Sequence, residues 1–269
     1  MAMSFAFDKW ISTKPLIGML HLLPLPGSPR AAALATVRDR LLQDAEALVA
    51  GGCHGLIMEN FGDAPFFPAA VPAHVVAAMT ALAAEVKRAH DVPLGINVLR
   101  NDGVSALGIA AAVGAEFLRV NVLTGARVTD QGVIQGIAHE LLRERSRLGA
   151  ESVKILADVD VKHSAALAPR PLGDEIADTF GRGMADAVIV SGSGTGSGVD
   201  PAKLAAAKGA AGRRPVLLGS GVTSESLAVL WSQADGFIVG TSLKKNGVST
   251  GPVDRGRVKA MVQAHKKLT

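Results

Sequence analysis

Eight short apolar runs recur along the chain, and they constrain its fold more than any other feature. Each run is aliphatic or β-branched and is bounded by glycine, proline or a polar residue, which is typical of strands buried in a parallel sheet. The runs are residues 16–20, 56–59, 93–98, 117–121, 153–160, 187–191, 215–219 and 236–240. Because parallel strands need a crossover segment between them, the stretches that separate the runs decide the architecture.

Alanine-rich stretches with helical spacing separate the runs. We predict helices over residues 34–50, 75–89, 104–113, 132–148, 172–181, 201–207 and 224–231. Asp200-Pro201 and residues 223–225 (Thr-Ser-Glu) are typical of capped helix starts, and residues 51–52 (Gly-Gly), Gly114 and Gly149 are typical of helix ends.

Eight strand–helix units at a spacing of roughly thirty residues amount to about 250 residues, the usual size of a (β/α)8 barrel. We therefore predict an α/β fold: a single (β/α)8 TIM barrel over residues 1–269, with active-site loops at the carboxyl ends of the strands. A doubly wound sheet is the structural alternative, although it usually has fewer strands for this length.

Composition excludes several classes of protein. With 48% hydrophobic and 19% charged residues the chain can bury a large core, so it is neither disordered nor a low-complexity scaffold. No apolar run approaches the ~20 residues that span a bilayer, and the first twenty residues lack a secretory pattern. The single Cys53 cannot form an internal disulfide. We expect a soluble, cytoplasmic protein without a transmembrane segment.

The net charge of +4 indicates a small anionic ligand rather than nucleic acid. The 28 basic residues of the chain are mostly scattered along the sequence. The chain also has no tyrosine and few other aromatic residues on which bases could stack. We therefore expect no nucleic-acid partner. A pocket for a small anion suits this charge at least as well.

Glycine-rich loops follow the last three predicted strands. Residues 191–198 (SGSGTGSG) follow the sixth, residues 219–222 (GSGV) the seventh and residues 240–242 (GTS) the eighth. A phosphate group needs unobstructed main-chain N–H groups, and a helix start adds a favourable dipole. Tight turns are the alternative explanation for any one loop. Together the loops predict a phosphate site whose residues are Ser191, Gly192, Gly194, Gly219, Ser220, Gly221, Gly240, Thr241 and Ser242.

The fifth strand ends in two carboxylates, an amine and an imidazole. Alternation along the strand predicts that Asp158 and Asp160 point inward, followed by Lys162 and His163. Such groups are costly to bury unless they are paired or used, so they are candidates for proton transfer. Glu59, at the end of the second strand, joins them as a candidate catalytic residue. A buried ion-pair network with Arg119 is the structural alternative.

Other strand ends bring polar groups to the same end of the predicted barrel. They form a candidate substrate-binding set that comprises His21, Asn60, Asn97, Arg100, Arg119 and Asn121. The loop after the second strand also contains Asp63, which is as well explained as a turn former.

The sequence contains no metal motif of fixed spacing, neither an HExxH nor a paired-cysteine site. Asp158, Asp160, His163 and Glu59 could still assemble a site for a divalent cation such as Mg²⁺, which the sequence does not demonstrate. The glycine run of residues 191–198 is not a Walker loop, because no Lys-Ser/Thr follows its last glycine.

Seven segments resemble those of the BtpA/SgcQ family, almost throughout the chain. They are residues 18–29 (GMLHLLPLPGSP), 59–66 (ENFGDAPF), 95–102 (GINVLRND), 117–125 (FLRVNVLTG), 157–163 (ADVDVKH), 219–222 (GSGV) and 238–244 (IVGTSLK). The resemblance implies a barrel akin to the ribulose-phosphate-binding group. It also implies the family's description as a factor for photosystem I biogenesis, although relatives occur beside sugar-phosphate genes.

Three hypotheses of function follow from the residues and the resemblance. The first is an enzyme that acts on a phosphorylated sugar, nucleoside or related small anion by isomerisation, epimerisation, lyase chemistry or glycosidic cleavage. The second is a non-catalytic assembly factor for a membrane complex, with peripheral membrane association. The third is a barrel that senses a phosphorylated metabolite. Charged groups at the strand ends favour the enzyme, and small residues on the outer helices agree with a homo-oligomer.

Overall fold

Eight parallel strands close into a barrel in the computed structural model of the chain, which describes residues 5–168, 170–192, 194 and 198–269. The strands are β1 (Leu16–His21), β2 (Gly55–Glu59), β3 (Leu94–Asn97), β4 (Phe117–Val120), β5 (Ala126–Thr129), β6 (Gly132–Gln135), β7 (Lys154–Val159), β8 (Ser164–Ala166), β9 (Ala187–Val190), β10 (Val216–Leu218) and β11 (Gly236–Val239). The barrel order is β1-β2-β3-β4-β7-β9-β10-β11, and β11 pairs with β1. These strands are the eight apolar runs, so the predicted TIM barrel is confirmed.

Helices cover the outside of the barrel. They are α1 (Phe7–Ser12), α2 (Leu34–Gly51), α3 (Ala73–Ala89), α4 (Gly103–Val113), α5 (Ala138–Arg147), α6 (Leu172–Gly181), α7 (Pro201–Ala211), α8 (Leu227–Leu230) and α9 (Arg255–Lys266). The predicted cap of α7 is confirmed, because the Asp200 carboxylate accepts from the N–H of Ala202. Gly52 and Gly114 end α2 and α4 in the left-handed conformation. Within the described residues no helix is both long and apolar enough to cross a membrane.

The predicted helix over residues 132–148 is wrong in its first part. Gly132 has a φ of +95°, which fits a tight turn, and the next residues form β6 rather than helix. Val133 pairs with Val128 on β5, and β8 pairs with the other edge of β5. These three strands form a small antiparallel sheet beside the barrel, and the helical part of the segment, α5, begins only at Ala138.

The segment after β10 also differs from the prediction. Thr223 and Ser226 exchange hydrogen bonds, and the helix α8 begins only at Leu227 and lasts one turn. A helix dipole of one turn contributes little, so the loop after β10 cannot draw on a helix N-terminus in the way that we expected.

Helix α1, which the sequence patterns did not predict, covers the amino-terminal end of the barrel. Phe7 and Ile11 of this helix are buried against interior residues that include Phe117 on β4. Trp10 packs on Phe117 with 5.6 Å between ring centroids, and its Nε1 donates to the carbonyl oxygen of His54 over 3.0 Å. The barrel interior is therefore filled and closed at this end.

Candidate active site

A buried ion pair spans the carboxyl end of the barrel, which we call the mouth. Arg119 on β4 donates through Nε and Nη2 to the two carboxylate oxygens of Asp158 on β7, each over 3.0 Å. Asn121 adds a bond from Nδ2 to Asp158 Oδ2 over 2.9 Å. Burial opposes the charge of Arg119, but Asp158 and Glu59 outweigh it and raise the pKa of the guanidinium. Arg119 therefore stays charged.

Glu59 lies in the same buried layer. Its Oε2 accepts from Nδ2 of Asn97 on β3 over 2.5 Å, and its side chain is 6% exposed. We call Glu59, Asn97, Arg119, Asn121 and Asp158 the inner cluster. Four strands, β2, β3, β4 and β7, supply its members or lead directly into them. For Arg119, Asn121 and Asp158, alternation along the strand predicts this inward orientation.

His21 at the end of β1 faces Glu59. Its Nδ1 donates to the carbonyl oxygen of Ser249 over 3.0 Å, so the proton of the neutral ring sits on Nδ1 and the lone pair on Nε2. Nε2 lies 4.0 Å from Oε1 of Glu59. Burial lowers the pKa of His21 to about 4, although Glu59 opposes the shift. At neutral pH His21 is therefore an uncharged hydrogen-bond acceptor.

Lys162 approaches the inner cluster from the loop after β7. Its carbonyl oxygen accepts from Nη2 of Arg100 over 2.7 Å, which holds the main chain at the mouth. Among the described residues its Nζ forms no hydrogen bond and no ion pair. Burial, together with the positive charge of Arg119, lowers the pKa of Lys162. An amine of this kind is more available as a base than an ordinary lysine.

Asp160 lies away from the inner cluster, which contradicts the predicted inward orientation. Its φ of +46° ends the strand alternation, and the side chain turns outward to Nη2 of Arg127 and to Nζ of Lys203, the latter over 2.6 Å. Its N–H donates to Oε1 of Glu175 over 2.9 Å. We call Arg127, Asp160, Glu175 and Lys203 the outer cluster. His163 has a φ of +56° and is exposed at the rim.

The glycine-rich loops after β10 and β11 line one cavity of about 260 Å³, here called the glycine-lined cavity. Among the described residues, the N–H groups of Gly221, Thr241 and Ser242 donate to no carbonyl. Open N–H groups in adjacent loops form a concave anion site. His21, Glu59, Arg119 and Lys162 line the same cavity, so an anion held there lies beside the inner cluster.

A side chain at position 219 would disturb this arrangement. A Cβ on Gly219 would lie 2.5 Å from Cγ2 of Ile189 and 2.6 Å from Oγ of Ser191, closer than real Cβ atoms approach their neighbours. The glycine thus lets the loop after β10 lie directly against β9.

The loop after β9 supports its neighbour instead of lining the cavity. The N–H of Gly192 donates to Oγ of Ser220 over 2.8 Å, and Oγ of Ser191 lies 3.5 Å from Oδ1 of Asp158. Of the described residues of this loop, Ser191, Gly192 and Gly194 are absent from the cavity lining, contrary to our expectation. Ser193 and residues 195–197 of the predicted run lie outside the described residues.

Arg257 on α9 is a lining residue that sequence reasoning missed. The helix begins at the cap Asp254, whose Oδ1 accepts from the N–H groups of Gly256 and Arg257. Nη1 of Arg257 lies 3.4 Å from the carbonyl oxygen of Ser242, which brings a guanidinium to the loop after β11. A cap followed by arginine near the chain end was the available signal, but nothing in the sequence relates it to this loop.

A second cavity, of about 500 Å³, shares part of its lining with the glycine-lined cavity. Its lining includes Phe61 and Phe66 from the loop after β2 and Leu99 from the loop after β3, so we call it the apolar cavity. Asn60 does not line it. Oδ1 of Asn60 accepts from the N–H of Leu99 over 2.7 Å, so Asn60 shapes the wall of the cavity and does not face a ligand.

The residues that could have held a divalent cation do not come together. Asp158 is paired with Arg119, Asp160 belongs to the outer cluster and His163 is at the rim. Throughout the part of the chain that the structure describes, no three His, Cys, Asp or Glu side chains are placed to hold a metal ion. The geometry therefore offers no carboxylate–histidine cation site of the kind that the sequence left open.

The fold and the site together define the class of protein: a TIM barrel with a glycine-lined cavity at the ends of its last two strands. The chain belongs to the BtpA family, whose model matches residues 12–267. It is 47% identical to the photosystem I biogenesis protein BtpA of Synechocystis sp. over 96% of this chain and 90% of that protein. An uncharacterized protein of Thermococcus kodakarensis is 46% identical over 95% of this chain and 96% of its own length.

Solved structures of low identity confirm the barrel. Phosphoribosyl anthranilate isomerase from Thermus thermophilus matches 94% of this chain and 100% of its own with a TM-score of 0.54 and 12% identity. KGPDC from Streptococcus mutans matches 94% of this chain and 98% of its own with a TM-score of 0.57 and 13% identity. At these identities the likeness shows the fold alone.

Proposed function

We propose that the protein is an enzyme that acts on a phosphorylated sugar or a related small phosphate ester. One observation carries this proposal: the glycine-lined cavity combines open loop N–H groups with Lys162, Glu59 and His21 in its wall. In TIM barrels the loops after the last two strands commonly hold a phosphate. The name of one structural neighbour, phosphoribosyl anthranilate isomerase, agrees with this class of ligand.

The residues divide into those that bind and those that move protons. Loop residues 219–221 and 240–242, with Arg257, bind the phosphate through N–H groups and one guanidinium. Lys162 takes a proton from the sugar, because its lowered pKa makes the uncharged amine accessible. Glu59 and the neutral Nε2 of His21 accept hydrogen bonds from hydroxyl groups of the substrate. Isomerisation, epimerisation, lyase chemistry and glycosidic cleavage all agree with this set.

Asp158 suits a positioning role better than the role of general base. Both of its carboxylate oxygens already accept from Arg119, and one also accepts from Asn121. A proton taken up by Asp158 would leave the buried guanidinium of Arg119 without its partner. We infer that Asp158 fixes Arg119, and that Arg119 faces the substrate.

The first test measures binding by titration calorimetry with inorganic phosphate and ribose 5-phosphate. Arg257→Gln is expected to weaken ribose 5-phosphate about tenfold, as the loss of one charge-assisted hydrogen bond implies. Arg255→Gln, on the same turn of α9 but not lining the cavity, is the matched control. If neither probe binds, or if both variants behave alike, the assigned phosphate site is wrong.

The second arm incubates each binding ligand with the protein and follows conversion by NMR. Lys162→Met should retain binding and lose turnover, and the wild-type rate should rise with pH until the lowered pKa of Lys162 is passed. If the wild-type protein binds phosphate esters and converts none of them, the enzyme hypothesis is wrong and the barrel that senses a phosphorylated metabolite takes its place.

A second candidate function, assembly of a membrane complex, is favoured by one surface and by the name of the relative from Synechocystis sp.. Val128 and Val133 form an exposed cross-strand pair on the small sheet, and Leu167 follows β8 and is also exposed. An assembly factor needs an apolar docking surface of this kind. If the protein assembles a membrane complex through this surface, Val133→Glu should abolish binding to that complex and leave ligand binding at the mouth unchanged. Oligomerisation, peripheral membrane association and a cytoplasmic location remain predictions.

A further inference from the structure

The apolar cavity is larger than a phosphosugar alone requires. Its volume of about 500 Å³ falls in the range typical of small-molecule sites. Most of its lining surface is apolar and comes from Leu22, Leu23, Pro24, Phe61, Phe66 and Leu99. Arg30, Arg100 and His163 also line it, beside the residues that it shares with the glycine-lined cavity. A sugar ring has hydroxyl groups on nearly every carbon and would leave them unpaired against the apolar part of this lining. That part fits a flat, mainly apolar group better.

One buried polar atom, in a residue that lines this cavity, lacks a partner. Nδ2 of Asn121 must face Asp158, because a carboxylate only accepts hydrogen bonds, and this orientation directs Oδ1 away from the ion pair. Asn121 is 2% exposed, and among the described residues its Oδ1 accepts no hydrogen bond. Asn121 lines the apolar cavity but not the glycine-lined one. A buried acceptor of this kind calls for a ligand N–H or O–H.

The two cavities meet at the inner cluster. Four residues line both of them: His21, Glu59, Arg119 and Lys162. A ligand whose phosphate occupies the glycine-lined cavity therefore reaches the apolar cavity by passing these four side chains. Its central atoms would then lie beside the amine of Lys162 and the carboxylate of Glu59.

From this shared lining we propose that the ligand has two unlike ends, a phosphorylated sugar and a flat, largely apolar group that carries an N–H or O–H donor. The proposal rests on the proposed function, because the phosphate end is placed by the loops after β10 and β11. Phe66 packs against the flat group, and Oδ1 of Asn121 accepts from its donor. Nucleoside 5′-monophosphates have this general construction and are suitable probes.

The experiment compares ribose 5-phosphate with AMP, IMP and UMP by titration calorimetry on the full chain. At least one nucleotide is expected to bind ten times more tightly than ribose 5-phosphate or better, because it fills both cavities. Phe66→Ala should weaken that nucleotide at least fivefold and leave ribose 5-phosphate unchanged. Phe67→Ala is the matched control, since Phe67 is the next residue, is 49% exposed and does not line the cavity.

The outcomes separate this inference from the proposed function. If ribose 5-phosphate binds and no nucleotide binds more tightly, or if Phe66→Ala and Phe67→Ala affect the nucleotide equally, the inference is wrong and the phosphate site stands. If no phosphorylated probe binds, both fail together. Unchanged binding of ribose 5-phosphate to Phe66→Ala also shows that this variant is folded.

Discussion

The inner and outer clusters contain two aspartates only two residues apart, yet their surroundings differ in almost every respect. The Asp158 side chain is fully buried, and its guanidinium partner is 3% exposed. The Asp160 side chain is 45% exposed, and it contacts Lys203, which is partly exposed, and Arg127, which is buried but also has Glu175 beside it. Sequence alternation puts both on one face, but the positive φ of Asp160 turns it to the outside. Alternation thus predicts the orientation of side chains only within the strand, and Asp160 lies just beyond the end of β7.

The difference has an energetic consequence. A buried charge depends on its partner, because the cost of removing it from water is large and only the partner offsets it. A pair in contact with water gains little, since water screens the attraction and solvates either group after the other is lost. The inner cluster should therefore respond strongly to changes that the outer cluster tolerates.

The largest expected effect comes from Asp158→Asn. The substitution keeps the size of the side chain and leaves the buried charge of Arg119 without the carboxylate that pairs with it directly, with only the more distant Glu59 of opposite charge. We expect the free energy of unfolding to fall by about 3–5 kcal/mol, measured by urea denaturation at neutral pH. A loss below about 1 kcal/mol would show that water reaches Arg119 and that the inner cluster is no drier than the outer one.

A smaller loss of stability should appear at acidic pH, and it should depend on His21. Its pKa of about 4 in the folded protein lies below the 6.5 of an unperturbed histidine. As pH falls from about 6.5 to 4, His21 takes up a proton in the unfolded chain but not in the folded protein. Stability should thus decrease by up to about 3 kcal/mol across that window.

His21→Asn tests this assignment, because the asparagine Nδ2 can still donate to Ser249. The variant should lack that part of the acid-dependent loss, whereas His139→Asn, on the exposed surface of α5, should retain it. Identical pH profiles for the two variants would contradict the assignment. The measurement is urea denaturation at a series of pH values.

The smallest effects belong to the outer cluster. Asp160→Asn and Lys203→Met should each change the free energy of unfolding by about 1 kcal/mol or less, because the Asp160 side chain is in contact with solvent and Oε2 of Glu175 still lies 3.6 Å from Nη1 of the buried Arg127. Denaturation in 1 M NaCl should reduce the difference from wild type further. A loss of 3 kcal/mol in either variant would erase the distinction between the clusters.

The barrel was predictable because its signal is repeated. Each of the eight buried strands reads as an aliphatic run, and an error in one would not have changed the architecture. The small sheet was not predictable in the same way. Its strands are three or four residues long, and β6 adjoins α5 with only two residues between them, so a helical pattern covered both.

The candidate site was predictable where side chains come from within strands. Arg119, Asn121 and Asp158 follow from alternation, whereas Glu59 and Asn97 follow only from their positions at strand ends; the structure brings all five together. Residues on loops and on distant elements did not follow. Asp160 depends on one backbone dihedral angle, and the path of the last helix decides the position of Arg257. Phe66 lies in a loop whose course no local pattern fixes.

Closure of the barrel by α1 has a consequence for the route of the small-molecule ligand that we propose. With Phe7 and Ile11 buried beneath the barrel interior, a compound that reaches Lys162 enters from the mouth and must return the same way. Incoming and outgoing molecules therefore share one passage and compete for it. For a reaction at Lys162, a spent product delays the next cycle until it departs, so its accumulation should slow turnover competitively.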